Sequence, residues 1–200
     1  GLGDVYKRQA KLSGMDSWKA DKESPKALLY GWFNDYERWS SVTLDGFSFR
    51  NVLLVNNDMT VMTEKRKFPD PDGNMKEINI PVFNGGTDML NGIIRAFSTT
   101  DGKIIAVTNS RWHVHIDYEN TTCSTDGKAI IPAEIYTAIK SVMRMDEYGT
   151  LDLGYRRSIV TPEEALPGAN GEIKDACMTN DESIIIVGDL TAFDGKTANN

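Results

Sequence analysis

The run Arg111-Trp112-His113-Val114-His115-Ile116-Asp117-Tyr118 concentrates the groups best suited to chemistry, including both histidines of the 200-residue chain. On a strand, side chains alternate between faces. His113, His115 and Asp117 then share one face, and Trp112, Val114, Ile116 and Tyr118 the other. Two imidazoles and a carboxylate at that spacing could hold a transition metal, with Cys123 as a fourth donor. An amphipathic insert strand explains the same pattern with fewer demands, so no metal and no cofactor is expected. Asp70-Pro71-Asp72-Gly73-Asn74 spaces its carboxylates like the start of a calcium loop, but the later acidic ligand is missing and Lys76 sits nearby. A Pro-Asp-Gly turn is the expectation there.

Nucleophilic catalysis needs a base within hydrogen-bond reach, and only His113 and His115 could serve. No Gly-x-Ser-x-Gly elbow is present. Glu163-Glu164 are adjacent, so on a strand their carboxylates point to opposite sides. After Thr161-Pro162 they read as a solvated turn. No glycine-rich phosphate loop occurs. No catalytic residue is therefore assigned, and the chain is read as a non-enzyme.

Charge narrows the partners. With 22 Lys and Arg against 29 Asp and Glu, the net charge is -7, which disfavours nucleic acid. The basic clusters Lys65-Arg66-Lys67 and Arg156-Arg157 read as solvated strand ends. No apolar run approaches the roughly 20 residues needed to span a bilayer. Cys123 and Cys177 have no CxxC spacing; unpaired thiols are favoured over a disulfide.

The elements that position these residues are β-strands arranged in a long-period repeat. Ile93, Ala96, Thr99, Asp101, Ile104-Ile105 and Val107 recur 80 residues later as Ile173, Ala176, Thr179, Asp181, Ile184-Ile185 and Val187. Each stretch reads as strand, tight turn (Asp101-Gly102, Asn180-Asp181) and β-branched strand. The run from Ile184 to Val187 suits an inner strand covered on both faces. Leu28 to Tyr36 parallels Ile185 to Phe193, and Arg50 to Val61 parallels Lys140 to Leu151. The expected fold is all-β, built of four-stranded antiparallel meander repeats of a β-propeller. The one helix expected runs from Pro132 to Ile139, with proline at its first turn.

Blade parts are placed at about 27–66, 92–156 and 171–200, after a lead-in at 10–26. Asp4-Val5-Tyr6-Lys7-Arg8-Gln9 looks like the translation of a sequencing-library adaptor, so residues 1–9 are set aside as non-native. The repeat is expected to be incomplete at both ends.

The stretch Ile184-Ile185-Ile186-Val187-Gly188-Asp189-Leu190-Thr191-Ala192-Phe193-Asp194-Gly195 resembles the delta-60 repeat β-propeller family. Met143-Arg144-Met145-Asp146-Glu147-Tyr148-Gly149-Thr150-Leu151-Asp152 and Trp32-Phe33-Asn34-Asp35-Tyr36 echo the same unit. The chain departs from the family in period, with extra residues between second and third strands. The resemblance implies a non-catalytic scaffold for binding or structure, in a phage virion (tail or fibre) or a secreted bacterial surface protein. An alternative is a propeller-based hydrolase whose active site needs further blades.

The inserts at 32–51 and 109–140 both fall between second and third strands, and so emerge on one face of a propeller. They carry Trp32, Tyr36, Trp39, Trp112, His113, His115 and Tyr118. These seven are the candidate binding residues, and a protein or glycan surface is the expected partner.

Overall fold

The computed structural model describes residues 11–13, 26–30, 52–56, 61–88, 92–156 and 164–198. The segments 1–9 and 32–51, with Trp32, Tyr36 and Trp39, lie outside the described residues, as do Glu163 and most of the lead-in. The described chain is all-β, in small antiparallel sheets. The strands are β1 (Lys11–Ser13), β2 (Lys26–Tyr30), β3 (Val52–Asn56), β4 (Thr63–Pro69), β5 (Met75–Pro81), β6 (Gly86–Thr87), β7 (Ile93–Ser98) and β8 (Ile104–Thr108). They continue as β9 (Trp112–Cys123), β10 (Ile130–Ala138), β11 (Val142–Met145), β12 (Glu172–Met178), β13 (Ile184–Asp189), β14 (Ala192–Phe193) and β15 (Lys196–Thr197).

Three sheets repeat one plan. The first is β1-β2-β3, extended by a bridge between Val55 and Val61. The second is β7-β8-β11, extended by a bridge between Met145 and Leu151. The third is the pair β12-β13. The 80-residue correspondence holds in backbone detail. Both β7–β8 and β12–β13 shift register one residue in, between Ile93 and Arg95 and between Ile173 and Asp175. Such bulges bend a strand and sharpen its twist.

The turns match too. Thr99 N–H donates to Lys103 O at 2.9 Å and Gly102 N–H to Thr99 O at 3.0 Å; Thr179 to Ser183 and Glu182 to Thr179 do the same at 2.9 and 3.0 Å. In both turns the threonine hydroxyl also meets the aspartate two residues on, Asp101 or Asp181. Left-handed backbone is required at the fourth position. Gly102 takes it at φ 80°, and Glu182 must take it at φ 64°.

Burial explains the stacking. In β8 every residue is buried. Ile104 and Ala106 pack with Tyr30, Val52, Leu54 and Met143 toward the first sheet. Ile105 and Val107 pack with Ile173 and Ala176 toward the third. In β13 the inward residues Ile184 and Ile186 join that same third-sheet core, but Ile185 and Val187 are 50% and 52% exposed. The expectation that Ile184 to Val187 is covered on both faces is therefore corrected. Its apolar pattern is that of an inner strand, but only one face meets a partner here.

Between the sheets lie two long hairpins. The β4–β5 hairpin turns at Asp70, whose carboxylate accepts from the N–H of Asp72 (3.0 Å) and of Asn74 (2.8 Å). Its first residues, 63–66, fall at the end of the first blade part expected at about 27–66, and the rest, 67–81, fall between the expected blade parts. The 109–140 insert is the β9–β10 hairpin. In place of the helix expected from Pro132 to Ile139, residues 132–138 belong to strand β10, paired from Ile130↔Cys123 to Ala138↔Trp112. Pairing with β9 outweighs the local signal, and Pro132 falls at the register break between Ile131 and Ala133, where no ladder hydrogen bond is needed. The two hairpins share a core of Phe68, Ile78, Ile80, Ile116, Cys123 and Ile130.

The basic residues fare differently. Lys65, Arg66 and Lys67 are exposed, as expected of solvated residues, but they stand inside β4 and not at its end. Arg156 is largely buried, ion-paired with Asp194, and its guanidinium lies 4.7 Å from the centre of the Phe193 ring. Asp194 and Gly195, at φ 52° and 76°, form the two-residue turn of the β14–β15 hairpin. Arg156 thus ties that turn to the end of the second sheet. Arg157 lies outside the described residues.

Candidate functional site

The site starts from two glycines. Segment 83–88 crosses the turn at 146–150 so closely that a Cβ on Gly85 would lie 2.2 Å from Gly149 O, and one on Gly149 2.7 Å from Gly85 N. Only glycine permits this approach, and Gly149 also sits at φ 91°. The crossing is pinned by Asn84 N–H donating to Tyr148 O at 2.8 Å. It delivers the Gly149 carbonyl to within 3.0 Å of His113 Nε2.

A carbonyl only accepts, so Nε2 carries the proton and His113 Nδ1 is the bare nitrogen. His113 is fully buried. Burial lowers its pKa to about 4, with the Gly149 bond opposing and neighbouring His115 adding to the fall. At neutral pH it is therefore uncharged. The expected polar face of β9 is corrected on this point: Val114, Ile116 and His113 are all buried, while Trp112, expected on the apolar face, is 43% exposed. The strand is covered on both sides, by the β4–β5 hairpin and by the glycine crossing.

One residue further along each face the wall opens into a pocket of about 340 Å³. Its floor includes His115 and Tyr118 from β9, and Thr137 from β10. Arg66 reaches in from β4, with its guanidinium carbon 4.4 Å from the centre of the Tyr118 ring. Asn84 supports the wall by pairing with the Ile116 backbone, donating to its carbonyl and accepting from its N–H, each at 2.8 Å. Tyr148 and Leu153 form an exposed apolar rim.

Three buried side-chain atoms here have no hydrogen-bond partner: His113 Nδ1, His115 Nδ1 and Tyr118 Oη. An unpartnered buried polar atom costs roughly 1–3 kcal/mol. Two of the three belong to pocket-lining residues. Burial lowers the pKa of His115, with Asp117 opposing, and raises that of Tyr118, with Arg66 opposing. Both side chains are neutral near pH 7, so an uncharged imidazole and phenol line the pocket beside one guanidinium.

The candidate residues divide clearly. His115 and Tyr118 meet in the pocket. His113 lies behind it, with its ring centre 5.6 Å from that of His115. Trp112 is 43% exposed and does not line the pocket. The Asp117 carboxylate is taken by the Asn120 amide (2.6 Å) and the Glu119 N–H (3.0 Å), so it does not join the imidazoles. Among the described residues no group of three or more His, Cys, Asp or Glu is arranged to hold a metal ion. Both thiols are free, Cys123 buried and Cys177 exposed.

Sequence reasoning missed Arg66, Asn84, Tyr148 and Leu153. Tyr148-Gly149 in a strand-turn-strand unit was a usable signal for a rim aromatic. Nothing local marked Asn84, whose role depends on a strand 32 residues away. No described helix is long and apolar enough to cross a membrane. Compared with known proteins, the chain matches no family model, no curated protein and no solved structure.

Proposed function

We propose that this chain is a β-propeller scaffold segment, of the delta-60 kind, that recognises a glycan through the pocket beneath the β9–β10 hairpin. The observation that carries the reading is the pair of unpartnered groups, His115 Nδ1 and Tyr118 Oη, on residues that line an aromatic pocket. A sugar supplies hydroxyls for such atoms and C–H faces for rings such as Tyr148. A pocket of about 340 Å³ is at the small end for ligand sites and suits one or two sugar rings.

The propeller part of the reading is supported by the stacked sheets with equivalent bulges and turns, and by long inserts at one strand junction. The open Ile185–Val187 face has the apolar character of a surface on which another sheet of this kind packs. A scaffold of this type suits a virion tail or fibre, or a bacterial surface protein, where glycans are the first chemistry met.

The test is a neutral glycan array followed by ligand-observed NMR with the strongest hits. Binding that is lost in Tyr118→Phe and His115→Ala, with folding retained, supports the reading. No saccharide bound, or binding unchanged in both variants, overturns it.

A further inference from the structure

A second cleft, separate from the Tyr118 pocket, opens between the second and third sheets. It encloses about 610 Å³ where β8 ends, the β9–β10 hairpin begins and ends, and β12 starts. Asn109, Arg111, Lys140, Ser141, Asn170 and Glu172 contribute to its lining. Most of its polar groups are already committed. The Asn109 amide pairs with the Ile173 backbone, accepting its N–H at 2.8 Å and donating to its carbonyl at 3.0 Å. Asn170 Oδ1 accepts from the N–H of Thr191 (3.0 Å) and of Ala192 (2.9 Å). Glu172 is ion-paired with Lys174.

The Arg111 guanidinium and the Lys140 ammonium differ. Neither has a carboxylate partner among the described residues, although the chain as a whole is acidic. Lys140 is also held in an unusual backbone. It and Ser141 take consecutive left-handed conformations, φ 47° and 84°. Non-glycine residues in that region are uncommon and strained. The surroundings enforce it: Ser141 N–H donates to Ser110 O at 3.1 Å, Thr108 N–H to Ser141 O at 2.8 Å, and Arg156 Nη1 to Lys140 O at 3.2 Å. Glycine would relieve the strain, yet a cationic and a hydroxyl side chain stand there. The Ser141 hydroxyl accepts from Ala169 N–H at 3.2 Å and keeps its own proton to donate.

We propose that this cleft binds an oxyanion, a carboxylate, sulfate or phosphate group, through Arg111, Lys140 and the Ser141 hydroxyl. A guanidinium, an ammonium and a hydroxyl donor lining one cleft match the acceptor oxygens of such a group, and charge-assisted bonds are the stronger kind. Glu172, engaged by Lys174 at the rim, disfavours a ligand with several negative charges spread over its length and favours one compact anionic group.

The test is isothermal titration with inorganic sulfate, inorganic phosphate, glucuronate and glucose, at ionic strength held constant with sodium chloride. At least one oxyanion binds at one site and glucose does not. Sulfate or phosphate alone identifies a tetrahedral anion, and glucuronate alone a carboxylated sugar. Arg111→Gln and Lys140→Gly each weaken binding by about tenfold or more. Lys140→Gly relieves the left-handed strain, so a normal melting transition accompanies the loss. Lys128→Gln, at the exposed hairpin tip, leaves binding unchanged, as does Tyr118→Phe. Absence of binding by every anion, or wild-type affinity in both Arg111→Gln and Lys140→Gly, overturns the proposal.

Discussion

The guanidinium of Arg95 on β7 grips the carboxylate of Asp175 on β12 by two contacts, Nε to Oδ1 at 2.8 Å and Nη2 to Oδ2 at 2.9 Å. The two residues are 80 apart, the repeat distance, and each stands just after the bulge of its strand. The same position in successive units is thus made cationic in one and anionic in the next, and the pair joins them. Because Asp175 is 47% exposed, solvent screens the pair. A double-mutant cycle with Arg95→Ala and Asp175→Ala should give a coupling of about 0.5–1 kcal/mol by denaturant titration, falling with added salt. Additive losses would mean the pair does not join the sheets energetically.

Equivalent positions in the repeat should respond unequally. Ile105 is buried between two sheets, whereas Ile185, its counterpart, has one open face. Ile105→Ala should cost about 2–5 kcal/mol and Ile185→Ala less than about 1 kcal/mol. Paired urea titrations measure both. A large loss at Ile185 would show that its face is covered in solution.

The glycine crossing is the most sensitive backbone point of the site. Gly149→Ala adds a Cβ against Gly85 backbone at a left-handed φ, with no flexible side chain to yield. A loss of about 2 kcal/mol or more is expected, together with displacement of the Gly149 carbonyl from His113. Chemical denaturation and the His113 imidazole NMR shifts report the two effects separately.

Stability should fall with acid through His113. Its folded pKa, about 4, lies below the unfolded value of 6.5, so the unfolded chain binds the extra proton first. The contribution is intact above pH 6.5, declines as pH drops from 6.5 toward 4, and is lost in full below that. The difference amounts to roughly 3 kcal/mol. Thermal melts from pH 7.5 to pH 4 should show this slope, and His113→Asn should flatten it. An unchanged slope in that variant would assign the pH dependence to other groups.

Tyr118→Phe removes a buried hydroxyl that has no partner. In the unliganded protein it should leave stability unchanged or raise it by up to about 1 kcal/mol, as deleting an unsatisfied polar group does. A destabilisation above that size, by urea titration, would show that the hydroxyl is bonded in solution.

The sequence by itself determined the strands and their repetition. Alternating and β-branched patterns, Asp-Gly turns and the 80-residue correspondence are local or self-referential signals. They survive without knowledge of contacts, and the matching bulges and turns follow from them. Pro132 to Ile139 was misread because strand pairing with β9 is non-local and overrides a weak helical start.

Burial and the site were decided by tertiary structure alone. Ile105 and Ile185 are the same residue in the same pattern, but Ile105 faces a neighbouring sheet and Ile185 faces none among the described residues. His113 and His115 share a strand face, yet the crossing of Gly85 over Gly149 seals one and leaves the other in a pocket wall. Arg66, Asn84 and Tyr148 reach that wall from separate elements, and Arg111 and Lys140, at the two ends of a hairpin, line one cleft. Such convergence depends on how sheets stack and where backbones cross. Those are properties of the packed molecule, with no counterpart in the spacing of residues along the chain.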